Sequence, residues 1–402
     1  MRGYSKILKN RDFRLLWLGQ GISDLGSRIN FIGITWLILE TSGKVSSVSL
    51  LFILLIIPSI MLGPLAGVLV ERWNKKTVII LADSIRGLLA FCMAFTNQIE
   101  LIYTLATLDS LCAIFFSPTI RIIIPRLMPK DELLTSNSLS SITYYMAELI
   151  GPSIGGVLIG LFGVRSTFII NGISFLLAVL FETSITIPET MTQVYVKSKG
   201  YLFKEFSEGW NYVRGNKTVK FVIVFFALAM LLMGGFPILN VVLIKKIFLF
   251  SPQEYGLLMT INGIGLLIGT LCLGKWGRTF HELKLMVLGV IFYGLSYIGI
   301  AVGGIFMAEA LCFATMGFAA AITNISYTTY LQKTVEDDKR GRVFSLDMAI
   351  GNVSGLISMG LVGIVADKFG VVFVAALGGV LITILGTITL KTNIYRESLI
   401  NI

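Results

Sequence analysis

The sequence predicts an all-α membrane protein: twelve transmembrane helices arranged as two pseudo-symmetric six-helix bundles. Three observations predict it: the composition, the number and length of the apolar runs, and a repeat at half the chain length. Of 402 residues, 55% are hydrophobic and 14% charged, where soluble domains carry about 25% charged residues. The mean hydropathy is +0.84. One water-facing core cannot enclose so much apolar surface, so lipid is the expected solvent for much of it.

A helix crosses the hydrocarbon layer in about 20 apolar residues. Twelve runs qualify, at 13–39, 46–70, 77–97, 101–125, 138–162, 165–187, 219–245, 254–276, 283–303, 305–331, 342–366 and 371–391. The basic start, with Arg2, Lys6, Lys9, Arg11 and Arg14, leads into a run long enough to span, so no cleavable signal peptide is expected.

The net charge of +10 raises the question of nucleic acid. Placement argues against it, because the Lys and Arg fall in short clusters between apolar runs. Twenty-six of the 33 lie at the termini and in the loops on their side, and 5 lie in the opposite loops. The positive-inside rule therefore puts both termini in the cytoplasm, as expected of a multi-pass protein of the bacterial inner membrane.

The repeat has an offset of 207 residues. The stretch Gly156-Val-Leu-Ile-Gly160-Leu-Phe-Gly163-Val164 mirrors Gly363-Ile-Val-Ala-Asp367-Lys-Phe-Gly370-Val371, and Asp131 matches Asp338. Asn10–Arg14 resembles Asn216–Lys220 at an offset of 206. Half the chain thus holds six spans, an even number, so the two halves share one topology about an axis along the membrane normal. The expected organisation is an N-terminal bundle, 1–186, a cytoplasmic linker, 187–218, and a C-terminal bundle, 219–402. In the linker Phe203, Phe206, Trp210 and Val213 recur at helical spacing opposite Lys204, Glu205 and Glu208, which reads as an amphipathic helix on the bilayer surface.

Several function classes are disfavoured. Cys92, Cys112, Cys272 and Cys312 lie singly in apolar runs, and His281 is the sole histidine, so a zinc site is not expected. No catalytic constellation and no GK[ST] phosphate loop are present, which argues against a membrane enzyme and against ATP-driven transport within this chain.

Two motifs carry more. Gly63-Pro-Leu-Ala-Gly67-Val-Leu-Val-Glu71-Arg72-Trp-Asn74-Lys75-Lys76 closes span 2. Gly63 and Gly67 leave a small-xxx-small face for a close helix, and Glu71 can latch to Arg72, Lys75, Lys76 or a helix N-terminus. The plainer alternative is charge that only fixes topology. In span 5, Gly151-Pro152-Ser-Ile-Gly155-Gly156 leaves a groove without side chains, and Pro152 removes a backbone donor. That suits a pivot, and it equally suits simple packing.

The first motif resembles the loop 2–3 signature of the major facilitator superfamily, G-x-x-x-D-R-x-G-R-K, with Glu71 and Asn74 where that pattern has Asp and Gly. Asn tolerates the left-handed backbone that Gly would supply there. The second resembles the antiporter signature of drug–proton exporters. Asn10-Arg-Asp-Phe13-Arg-Leu-Leu-Trp17 and Gly341-Arg342-Val-Phe344-Ser-Leu346 resemble the macrolide-efflux and siderophore-exporter branch. The resemblance spans essentially the whole chain. It implies the major facilitator fold and alternating access, with no cofactor, and a monomer is expected.

Charges within spans usually face a cavity or a partner. Asp24 lies mid-span, and Arg28, one turn on, is spaced for an intrahelical pair. Glu148 and Asp109 are the other deep acids, and with Asp24 and Arg28 they are the candidates for proton coupling. Asp83 and Arg86 are expected to join Glu71 in the inner gate. Many drug exporters carry an Arg near the position of Asp109, so Arg28 is expected to substitute for it. The substrate cavity is expected near mid-membrane, lined by Asn30 and Trp36, Tyr144 and Tyr145, Phe236 and Asn240, and Asn324 and Tyr327. Rings and amides of that kind suit amphipathic small molecules. The leading expectation is proton-coupled efflux of macrolide-like drugs. A siderophore or secreted-metabolite exporter and a lysophospholipid flippase are the alternatives on the same scaffold.

Overall fold

In the computed structural model the described residues are 2–188, 201–276, 280–392 and 395. Each expected span forms a helix. A short α1, Arg2–Ile7, precedes α2, Arg11–Ser42, α3, Val45–Arg72, α4, Lys75–Ala94, α5, Ile99–Leu127, α6, Leu133–Phe162, and α7, Arg165–Thr183. Helix α8, Tyr201–Gly215, lies within the segment expected as a linker. The seventh span is broken into α9, Lys217–Met233, α10, Phe236–Val242, and a π-helical turn at Leu243–Ile247. The last five are α11, Pro252–Trp276, α12, Glu282–Val302, α13, Phe306–Thr334, α14, Asp337–Phe369, and α15, Val371–Lys391.

Polar residues between the runs set the helix starts. Asn10, Asn74 and Asn216 each sit at an N-cap in an extended conformation, and each side-chain oxygen accepts an N–H three residues on, from Phe13, Thr77 and Val219. The repeated Asn10 and Asn216 are therefore one helix-start signal used twice. Asn74 corrects the expectation of a left-handed backbone: its φ is −66°, so it caps α4 and does not replace a glycine turn.

Among the described residues, eleven helices are long and apolar enough to cross a membrane. The remaining long helix, α2, has 32 residues and carries Gln20, Asp24, Arg28 and Asn30 within its length. Large apolar side chains stay exposed along the helices, among them Leu88, Leu271, Leu361 and Ile388. Such a belt is the surface a bilayer covers.

The chain divides into two compact units. The first holds Met1–Gly43, Leu51–Tyr195 and Ser251–Leu257. In it α7 packs on α2 and α4, and α6 packs on α2. Gly19, Gly26 and Gly33, spaced by seven, meet Ala178, Ser174 and Thr167 of α7, so two backbones approach closely. The first turn of α11 also belongs to this unit, where Pro252 and Gln253 lie over Gly156 and Gly160 of α6.

The second unit holds Lys44–Leu50, Val196–Phe250 and Leu258–Ile402. Helix α12 packs on α13 and α15, and α14 packs on α8 and α9. The start of α3 belongs to this unit, and Asp367 of α14 accepts the N–H of Val45 and Ser46 at 2.8 and 3.1 Å. Asp367 is the repeat partner of Gly160, so one half uses a carboxylate where the other leaves space. Helix α8 is seated on α14: Gly209 lies against the Arg342 carbonyl, and Glu208 pairs with Arg342 at 2.7 Å. The break in the seventh span falls at Gly234-Gly235, where the Gly235 N–H donates to Ser358 Oγ at 2.8 Å.

Candidate functional site

A cavity of about 600 Å³ opens within the first unit. Helix α2 contributes Trp17, Gln20 and Asp24; α5 contributes Phe116, Ser117, Ile120 and Arg121; α6 contributes Asn137, Ser140, Ser141, Thr143, Tyr144 and Tyr145. Rings, amides and hydroxyls dominate this wall. Trp17 donates its indole N–H to Thr143 Oγ1 at 2.8 Å, which ties α2 to α6 on the cavity's edge.

The spacing of Asp24 and Arg28 suggests an intrahelical pair, and the structure corrects this. Arg28 pairs instead with Glu148 of α6 at 2.6 Å. It also donates to the Tyr144 hydroxyl at 2.6 Å, and that hydroxyl donates to Glu148 at 3.1 Å. The guanidinium stands 5.1 Å from the Tyr144 ring centre. The reason is steric and lies in span 5. A Cβ on Gly151 would stand 2.5 Å from Arg28 Cβ, so the missing side chain is what lets Arg28 approach α6. Gly155 rests on the backbone of Ile29, and Gly156 on Pro252. Pro152 lies inside α6, and its carbonyl meets Gly256. The Gly151-Pro152 motif is thus a crossing point for α2 and for the start of α11.

Asp83 and Arg86 were expected beside Glu71. They lie deep in the α4–α5–α7 contact. Arg86 Nε is 3.0 Å from Asp109 Oδ1, and Arg86 Nη1 is 3.8 Å from Asp83 Oδ1. The guanidinium also lies over Phe175, 4.3 Å from its centre. Asp109 is therefore the partner of Arg86, a cation supplied by the neighbouring helix α4. Gly67 and Glu71 lie on α3, and their side-chain surroundings fall outside the described residues. The other gate candidates separate. Arg72 is exposed, Lys75 is buried with its ammonium on the Trp73 carbonyl, and Lys76 donates to the Thr183 carbonyl at 2.7 Å. The last of these satisfies a free carbonyl at the C-terminus of α7.

Of the expected cavity residues, Tyr144 and Tyr145 line the cavity of the first unit, their rings edge to face at 5.7 Å. The rings of Trp36, Phe236 and Tyr327 are corrected to packing positions. Trp36 is 6% exposed and lies against Tyr255. Phe236, 1% exposed, stacks on Tyr297, whose hydroxyl donates to the Phe236 carbonyl. Tyr327 is buried, stacks on Phe226 and bonds Asp347. Asn240 is buried, Asn324 bonds the Ala320 carbonyl of its own helix, and Asn30 keeps a buried side-chain oxygen without a partner. Sequence reasoning missed the α5 face, Phe116 to Arg121, and missed Glu182. The Ser117-Pro118 pair within an apolar run was the available signal for α5; nothing local marked Glu182, which sits at the end of a run.

A bundle of membrane-length helices around a polar cavity, with ion pairs buried at depth, defines a multi-pass membrane transporter. The chain belongs to the transmembrane secretion effector family of major facilitator transporters, whose model matches residues 4–399. It is 24% identical over 399 residues to macrolide efflux protein A of Streptococcus pyogenes, covering 96% of each chain. It is 26% identical over 373 residues to the staphyloferrin A transporter of Staphylococcus aureus, covering 89% of this chain and 90% of that one. The fold superposes on the crystal structure of the nucleoside transporter NupG with a TM-score of 0.73 at 16% identity, over 95% of this chain and 98% of the other. These relatives are transporters, not enzymes, and a small-molecule substrate goes with the family.

Proposed function

We propose that the chain is a proton-coupled exporter of amphipathic small molecules, working as a monomer by alternating access, with both termini in the cytoplasm of a bacterial inner membrane. One observation carries the reading: Asp24 opens into a cavity walled by rings, amides and hydroxyls, one helical turn from the Arg28–Glu148 pair. A carboxylate in such a place answers both to substrate and to the charge beside it. Glu148 holds Arg28, and Asp109 holds Arg86, so protonation of either acid would free a guanidinium. The aromatic wall fits macrolide-like drugs, in keeping with the name of the streptococcal relative. A second reading, export of an anionic secreted metabolite such as a siderophore, is favoured by Arg121 in the same wall and by the staphylococcal relative.

Macrolide uptake into inverted membrane vesicles tests the first reading. A proton gradient should drive accumulation, and both a protonophore and Asp24→Asn should abolish it. Accumulation that persists under the protonophore overturns proton coupling. Transport of an iron-chelating anion with none of macrolide, lost in Arg121→Ala, would select the second reading.

A further inference from the structure

Glu182 has no part in the cavity, yet it is 1% exposed, and Asp83 is 0% exposed. They sit where α4 packs on α7, each facing the other's carboxyl group. A carboxylate has only acceptors, so a hydrogen bond between two carboxyls requires a proton on one of them. Among the described residues no donor lies within hydrogen-bonding distance of Asp83: both of its oxygens, and Glu182 Oε2, are buried without a hydrogen-bond partner. The charged and titratable groups facing the pair are Arg86 on α4, Asp109 and Cys112 on α5, and Asp24 on α2. Arg86 is the cation among them, and its close contact at 3.0 Å goes to Asp109, with Asp83 further off at 3.8 Å. Lys76, at the start of α4, directs its ammonium to the Thr183 carbonyl. With Arg86 and Asp109 neutralising each other, a doubly ionised Asp83–Glu182 pair would be an uncompensated dianion in packed helices, a costly arrangement.

We propose that Asp83 and Glu182 form a two-carboxyl site that binds one proton between them, separate from the substrate cavity. Loss of that proton draws Arg86 from Asp109 toward Asp83, so the proton sets which acid Arg86 holds and thereby the contact of α4 with α5. Use of this site in transport rests on the proton-coupled reading above; its occupancy does not.

Infrared spectroscopy of the full chain in lipid nanodiscs near neutral pH tests the site without any substrate. The wild type should show the C=O stretch of a protonated carboxyl, and the isosteric double variant Asp83→Asn/Glu182→Gln should lack the corresponding intensity. Should the double variant fail to fold, Glu182→Gln alone serves, because Asp83 then pairs with Arg86 as an ionised group and the intensity falls. A wild type without a protonated-carboxyl band, or variants that retain it in full, overturns the proposal. Disappearance of the wild-type band on adding sodium at fixed pH overturns it too, by making the pair a metal-cation site. A band that behaves as expected beside protonophore-insensitive transport keeps this site and discards the coupling reading.

Discussion

Arg28 shows how an intramembrane charge finds its partner. It has Asp24 one turn away on its own helix, yet it takes Glu148 and Tyr144 from α6. The pair is partly open, with side-chain exposures of 31% and 42%. Ion pairs of that exposure contribute about 0–1 kcal/mol. Glu148→Gln should therefore leave the melting temperature in detergent nearly unchanged while lowering transport strongly. A large loss of stability instead would make the pair a structural strut. Tyr297 is the contrasting case. It is fully buried, and its hydroxyl donates to the Phe236 carbonyl beside the break in the seventh span. Tyr297→Phe should cost about 1 kcal/mol, more if the carbonyl is left unsatisfied, read as a lowered melting temperature with transport specificity retained.

At the scale of elements, helix contacts rest on missing side chains and on caps. Gly151 admits Arg28, with only 2.5 Å to a Cβ, whereas nothing lies within 4 Å of a Cβ at Gly63. Gly151→Ala should cost about 1–3 kcal/mol by overpacking and should reduce transport, while Gly63→Ala should be neutral or slightly stabilising. Equal effects of the two in thermal melting would contradict this account of the span 5 motif. Asp367 caps α3 through two N–H groups. Replacing such a cap with Ala costs about 0.5–2 kcal/mol. Asp367→Ala should lower the melting temperature, and Asp367→Asn, which still accepts a hydrogen bond, should restore most of it. The motif in span 2 was only partly legible: Asn74 reads as a tolerant turn residue until its oxygen is seen to accept the Thr77 N–H.

For the whole molecule, the sequence makes one prediction about orientation in the membrane. The 26-to-5 division of basic residues predicts Lys44 outside and Lys130 inside. Single cysteines at these positions, in a chain with its four native cysteines replaced, check it. A membrane-impermeant maleimide should label position 44 in intact cells and position 130 only after permeabilisation.

Helix number and helix starts were written in the sequence because both depend on local quantities: run length against bilayer thickness, and a capping side chain three residues from the N–H it accepts. Partners across helices were not. Spacing along α2 offered Arg28 one acid, and packing supplied another, because ion pairing depends on which helix faces meet. Phe236 and Tyr327 looked like cavity residues by type, and only the stacking of Tyr297 and Phe226 on them showed otherwise. The Asp83–Glu182 contact joins positions 99 residues apart, so it exists only once α4 and α7 lie side by side.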